Sequence, residues 1–189
     1  MFDAAFAVRR DHSSQGGFLI MLVPECTFHG EEAMVDWRSM KLPRVARSSL
    51  AAEAQAAGQA CDALDFASRF WEHMLHPKTS LQDLMAMPSS LKPTMITDAK
   101  ALFDSYHREG LSGNLVDKRT GLEILVLKER LTDLNGNFRW ISSERQFADS
   151  LTKTSTRQLL ADRLRYGRIK FTYDAEYTAA KRKTAEDRQ

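Results

Sequence analysis

The sequence predicts a mixed α/β fold, a five-stranded sheet flanked by helices, on three observations. Three apolar, strand-like segments joined by polar turns precede Lys41. From Ser48 the apolar spacing lengthens to a helical period that persists to about Leu75. Two later apolar runs, at 94–97 and 138–141, each lie between helical stretches.

The first strand covers residues 2–8, where Phe2, Ala4, Ala5, Phe6, Ala7 and Val8 surround a single carboxylate, Asp3. An acid among strand-forming residues is costly to bury unless it is paired or binds a cation. Asp3 therefore requires a partner. Residues 9–14 form a polar turn, and the second strand runs from Gly16 and Gly17 to Val23, stopped by Pro24. The paired glycines mark a close backbone approach to a neighbouring strand or to a ligand phosphate, or else a bulge or turn. A third strand covers 33–38, mixing Met34, Val35 and Trp37 with polar residues. Short connections make these three an antiparallel meander, and Trp37 fits either the core or a stacking platform.

Ser48 or Ser49 is a helix N-cap, opening a long Ala-rich helix that His76-Pro77 ends, since the residue before proline avoids the helical region. Residues 81–87 are a short helix or loop. The strand at 94–97 delivers Asp98 to its carboxyl end, where a helix at 99–108 begins and Gly110 stops it. A further helix spans 120–133, and Asn135-Gly136 turns the chain into the last strand, 138–141. Ser143 to Gln146 open a short helix carrying Asp149, 154–166 is helical, and 174–189 reads as a charged, solvated tail after a domain over 1–173. Glu53, Asp98 and Asp149 are the candidate partners of Asp3, each beside or inside a predicted element.

Composition narrows the class. A net charge of +2 and a pI near 8.6 suit a nucleic-acid partner without requiring one. Cys26 and Cys61 stand far apart with no CxxC pairing, so neither a disulfide framework nor a zinc site is expected, and an intracellular, reducing compartment is. The longest apolar run, Phe18 to Val23, is far short of the roughly 20 residues of a membrane helix, and no targeting segment or membrane partner is expected. The five histidines form no HExxH or triad pattern, and His73 and His76 read as surface residues.

The order of elements, three strands, helix, strand, two helices, strand, helix, is that of the ribonuclease H-like fold. The motifs at the junctions resemble one branch of it, the ribonuclease H domain of copia-type retrotransposon polyproteins, over most of residues 2–153. The matching pieces are Asp3-Ala4, the Ser-rich turn into Gly16-Gly17, the run Trp37-Arg38-Ser39 through Lys41 and Arg44 to Arg47-Ser48-Ser49, Glu53, and Thr97-Asp98. The most specific is Gln146-Phe147-Ala148-Asp149-Ser150-Leu151-Thr152-Lys153. Three departures stand out. The family's first strand starts earlier, so this one is expected to be truncated; Ala99 replaces the usual asparagine; and Thr120-Gly121-Leu122-Glu123 replaces a Lys-His-Ile-Asp segment.

The resemblance implies an endoribonuclease that cuts the RNA strand of an RNA·DNA hybrid with two magnesium ions, manganese being an alternative. It also implies a reverse transcriptase domain upstream in a parent polyprotein, in a cytoplasmic or nuclear setting. Magnesium is a hard cation that prefers oxygen ligands, so carboxylates from separate elements suit it. Within the family scheme Asp3 bridges both ions, Glu53 and Asp98 complete one site, and Asp149 holds the other. Four crowded acids repel one another without metal, which predicts raised carboxylate pKa values. Gly16, Gly17, Arg38, Lys41, Arg44, Arg47, Ser48 and Ser49 are the candidate contacts to the nucleic-acid backbone; alone, these basic residues equally fit a solvated loop. The competing reading is a catalytically silent remnant or a co-opted nucleic-acid-binding or structural module.

Overall fold

A computed structural model describes residues 1–23, 29–31, 33–87, 89–108, 117–166 and 168–170. Strands β1 (Phe2–Ala5), β2 (Gln15–Leu22) and β4 (Ala33–Lys41) form an antiparallel sheet in the order β1-β2-β4, as the short connections predict. Its register sets Asp3 opposite Gly17 and Gly17 opposite Ser39, with a bulge between Ile20 and Met21. Strands β5 (Thr94–Thr97) and β6 (Asn137–Trp140) pair in parallel. A ribbon of β3 (His29–Glu31) with β7 (Arg168–Lys170) was not anticipated from the sequence.

The single five-stranded sheet is thus corrected to two ladders. Strand β5 lies beside β1, yet among the described residues no hydrogen-bonded ladder joins them. Strand β1 stops at Ala5 and not at Val8, because Ala7 takes a positive φ of 53° and turns the chain away, its N–H donating to Ser14 Oγ. Strand β1 spans only Gln15 to Phe18 of its neighbour. Beyond it, an apolar cavity of about 640 Å³ lies between Leu19–Val23 of the second strand, Thr94–Ile96 of the fifth and the outer turns of the long helix.

Period two along β2 builds two layers of core. Phe18 and Ile20 join Phe2 against α1 (Ser49–Leu75), α3 (Lys100–His107) and α4 (Lys118–Asp133). Leu19, on the opposite face, packs with Ile96, Ile141 and Phe147, with Leu151 and Leu160 at the margin. That second layer covers the sheet with α5 (Asp149–Thr152) and α6 (Arg157–Tyr166). Helix α1 begins where the cap predicts, with Ser48 Oγ accepting from Ala51 N at 3.1 Å, and its C-cap is His76 before Pro77. The short segment after it is helical as α2 (Leu81–Ala86). Buried Glu72 of α1 accepts from Ser89 Oγ, Ser90 N and Ser90 Oγ, fastening the approach to β5. Pro24, Cys26, Gly110 and the charged tail lie outside the described residues; Cys61 is a buried free thiol.

Candidate metal centre

The three aspartates come from elements far apart in sequence and meet at one point. One carboxylate oxygen from each of Asp3, Asp98 and Asp149 lies within 4.8 Å of the other two, a group that can hold a metal ion. Asp3 and Asp149 are buried and Asp98 is half-buried. Asp3 sits in β1 between Phe2 and Ala4, both packed toward α1, so strand alternation turns its side chain to the α5 face. There Thr152 Oγ1 donates to Asp3 Oδ2. Asp98 follows β5, where Thr97 Oγ1 accepts from Ala99 N at 3.0 Å and Trp140 Nε1 donates to Asp98 O at 2.9 Å. Asp149 opens α5, held against β1 by buried Gln146, whose Nε2 donates to Phe2 O at 2.9 Å.

Glu53, one turn into α1, is buried near enough to feel the charges of Asp3 and Asp98, yet it lies outside this group of three, so the expected convergence of four acids is met by three. The Glu53 carboxyl pKa is raised well above the ordinary range by burial and then by the charges of Asp3 and Asp98, against a hydrogen bond from Ala4 N. Asp149 is pushed up to about 6, by burial first and the charges of Asp3 and Asp98 after it, while its hydrogen bond from Lys153 opposes the rise. Such mutual repulsion is what crowded carboxylates experience without a cation. Two oxygens, Glu53 Oε2 and Asp149 Oδ1, are buried without a hydrogen-bond partner. Buried polar atoms are rarely left in that state. The donor set is all carboxylate oxygen, partly unsatisfied and over-charged, and it fits a hard divalent cation.

The glycines serve packing. Gly16 and Gly17 are buried, and an added Cβ would come within 2.6 Å of Leu42 Cδ2 and of Leu151 Cβ respectively. The close approach seen there is that of protein side chains. Gly17 is what lets α5 settle on β2 and bring Asp149 to Asp3.

Arg38 is exposed on β4, which Ser39 Oγ ties to α5 by donating to Leu151 O at 2.5 Å. Lys41 pairs with Asp11 and Arg44 with Glu123, each at 2.5 Å. Arg47 and Ser49 are exposed, and the Ser48 hydroxyl is occupied as the α1 cap. Trp37 is 56% exposed, on the surface of β4 and outside the core, while Trp71 and Trp140 are half-buried. His73 and His76 are exposed.

Four residues that support the acids, Trp140, Gln146, Thr152 and Lys153, carry no individual role in the sequence, although the last three lie in the motif that ends the resemblance. Lys153 had one legible signal, its i,i+4 spacing from Asp149 along a helix. The indole had none, because its acceptor, Asp98 O, lies 42 positions away in sequence. No family model, curated protein or solved structure matches the chain. Among the described residues, no helix is long and apolar enough to cross a membrane.

Proposed function

We propose that the chain is a metal-dependent phosphodiesterase of the ribonuclease H type, cutting the RNA strand of RNA·DNA hybrids as the terminal domain of a copia-type polyprotein. The observation that carries this reading is the convergence of Asp3, Asp98 and Asp149, with Glu53 beside them, from β1, the end of β5, α5 and α1. Two magnesium ions, when bound, would supply an activated water and relief of charge on the leaving 3′ oxygen. In the scheme that the resemblance implies, Asp3 would be shared by both ions, Glu53 and Asp98 would complete one site and Asp149 would hold the other. Buried surroundings keep bulk water from these carboxylates and strengthen their hold on cations. Arg38 and Arg47, exposed on β4 and before α1, supply charge for the substrate backbone. Lys41 and Arg44 can exchange partly exposed acidic partners for phosphates. A hybrid would be held by its shape, phosphates and 2′-hydroxyls, with no reading of base sequence.

One observation favours a second reading, a module that binds nucleic acid without cutting it: the Lys153 ammonium already supplies positive charge to Asp149 and Asp3. Cleavage of a labelled hybrid in magnesium, manganese or chelator, by the chain and its Asp98→Asn variant, separates the two. The expected result is metal-dependent cutting that falls more than about a hundredfold in the variant, since losing even an outer-shell contact costs about 10–100-fold. Salt-dependent binding by folded protein with no cutting in any metal would leave the second reading standing.

A further inference from the structure

The ion pairs of the carboxylate group, among the described residues, all converge on one ammonium. Lys153 Nζ lies 2.8 Å from Asp149 Oδ2 and 3.7 Å from Asp3 Oδ1, bridging two acids that are 146 positions apart. Its bond to Asp149 is charge-assisted, and both acceptors are at least nine-tenths buried. The lysine itself is 41% exposed, so its stem reaches the group from solvent and the ammonium can leave by the same route. The backbone supports this placement, because Lys153 N donates to Asp149 O at 2.7 Å, closing the single turn of α5. Asp149 Oδ1 meanwhile stays without a partner, so the lysine satisfies one oxygen of this carboxylate and leaves the other open.

We propose that Lys153 is a tethered counter-ion that occupies the Asp149 side of the site and competes there with the divalent cation. The inference rests on the metal-binding reading above. In the absence of metal the ammonium offsets the repulsion between Asp3 and Asp149 and keeps α5 docked. A divalent ion that takes Asp149 displaces it into solvent. The lysine therefore lowers the affinity of the site while raising the stability of the metal-free fold, two effects that a merely structural ion pair does not couple.

The test is manganese binding by calorimetry and electron paramagnetic resonance, with melting temperature in chelator and in saturating magnesium. It compares the full chain with Lys153→Met, Lys153→Gln and the charge-keeping Lys153→Arg. Both neutral variants are expected to bind manganese about tenfold tighter, to melt lower in chelator, and to regain the parent's melting temperature in magnesium; partly exposed pairs contribute on this modest scale. Lys153→Arg should stay close to the parent. Neutral variants that bind no tighter, or that stay unfolded even in magnesium, overturn the proposal. Two outcomes separate it from the reading it rests on. Tight parent binding unchanged in the neutral variants removes only the counter-ion role, whereas absence of binding by parent and variants alike removes the metal site itself.

Discussion

Replacing Gly17 by alanine tests whether the position of α5 sets the site. The new Cβ would lie 2.6 Å from Leu151 Cβ, 3.3 Å from Thr152 Cγ2 and 3.4 Å from Arg38 O. Carbon atoms pack at about 3.5–4.0 Å, so the helix must retreat by about 1 Å. Overpacking of this kind costs about 1–3 kcal/mol, and a strand glycine returns about 0.5–1 kcal/mol when replaced, leaving a net loss of up to about 2.5 kcal/mol in urea unfolding. The larger effect falls on the carboxylates. Asp149 and Thr152 move with the helix, and a misplacement of about 1 Å is worth about a hundredfold in rate. Gly58→Ala is the control: nothing lies within 4 Å of its added Cβ in α1, so it should gain up to about 1 kcal/mol and leave manganese affinity untouched. Gly17→Ala protein that is as stable as the parent and binds manganese equally well would refute the claim that this glycine positions the site.

The remaining predictions concern charge and support. Asp149 titrates at about 6 in the fold against about 3.9 unfolded, so between those values the native state retains a proton that the unfolded state has released. Its contribution to stability is present at low pH, falls as pH rises from about 4 to about 6, and is constant above. Glu53, also raised, adds in the same direction. In chelator, Asp149→Asn should therefore gain on the parent across that window; a flat difference in urea midpoints would contradict it. Trp140→Phe removes the Nε1 bond to Asp98 O, which should cost about 1 kcal/mol and weaken manganese binding about tenfold, as loss of an outer contact does. Calorimetry would read both effects.

Local elements were legible where local forces decide them. The cap at Ser48, the long apolar period and His76-Pro77 define α1 within a residue of its observed limits. The acids were legible because each stands at an element boundary or breaks an apolar run. The sheet was less so. The early end of β1 depends on Ala7 turning away at positive φ, which alanine does not advertise, and the division into two ladders depends on the neighbours that β5 finds in three dimensions. Arg44 read as a free phosphate contact because Glu123, 79 positions later, gives no local sign that it will pair with it. Gly17 shows the same limit. A glycine pair in a strand announces close approach, and only the packing of Leu151 tells what approaches.

The bond from Gln146 to Phe2 has a consequence in time. It joins residues 144 positions apart, and Thr152 reaches Asp3 across 149. During synthesis at about 5–20 residues per second, Asp3 waits roughly 7–30 s for the segment that encloses it. A nascent or broken chain ending before that segment carries Asp3, Glu53 and Asp98 with neither Asp149 nor the lid that buries them. Such distant closure is slow by nature, since loop entropy must be overcome before the contact forms. Completion of the carboxylate group thus waits on the segment 146–152.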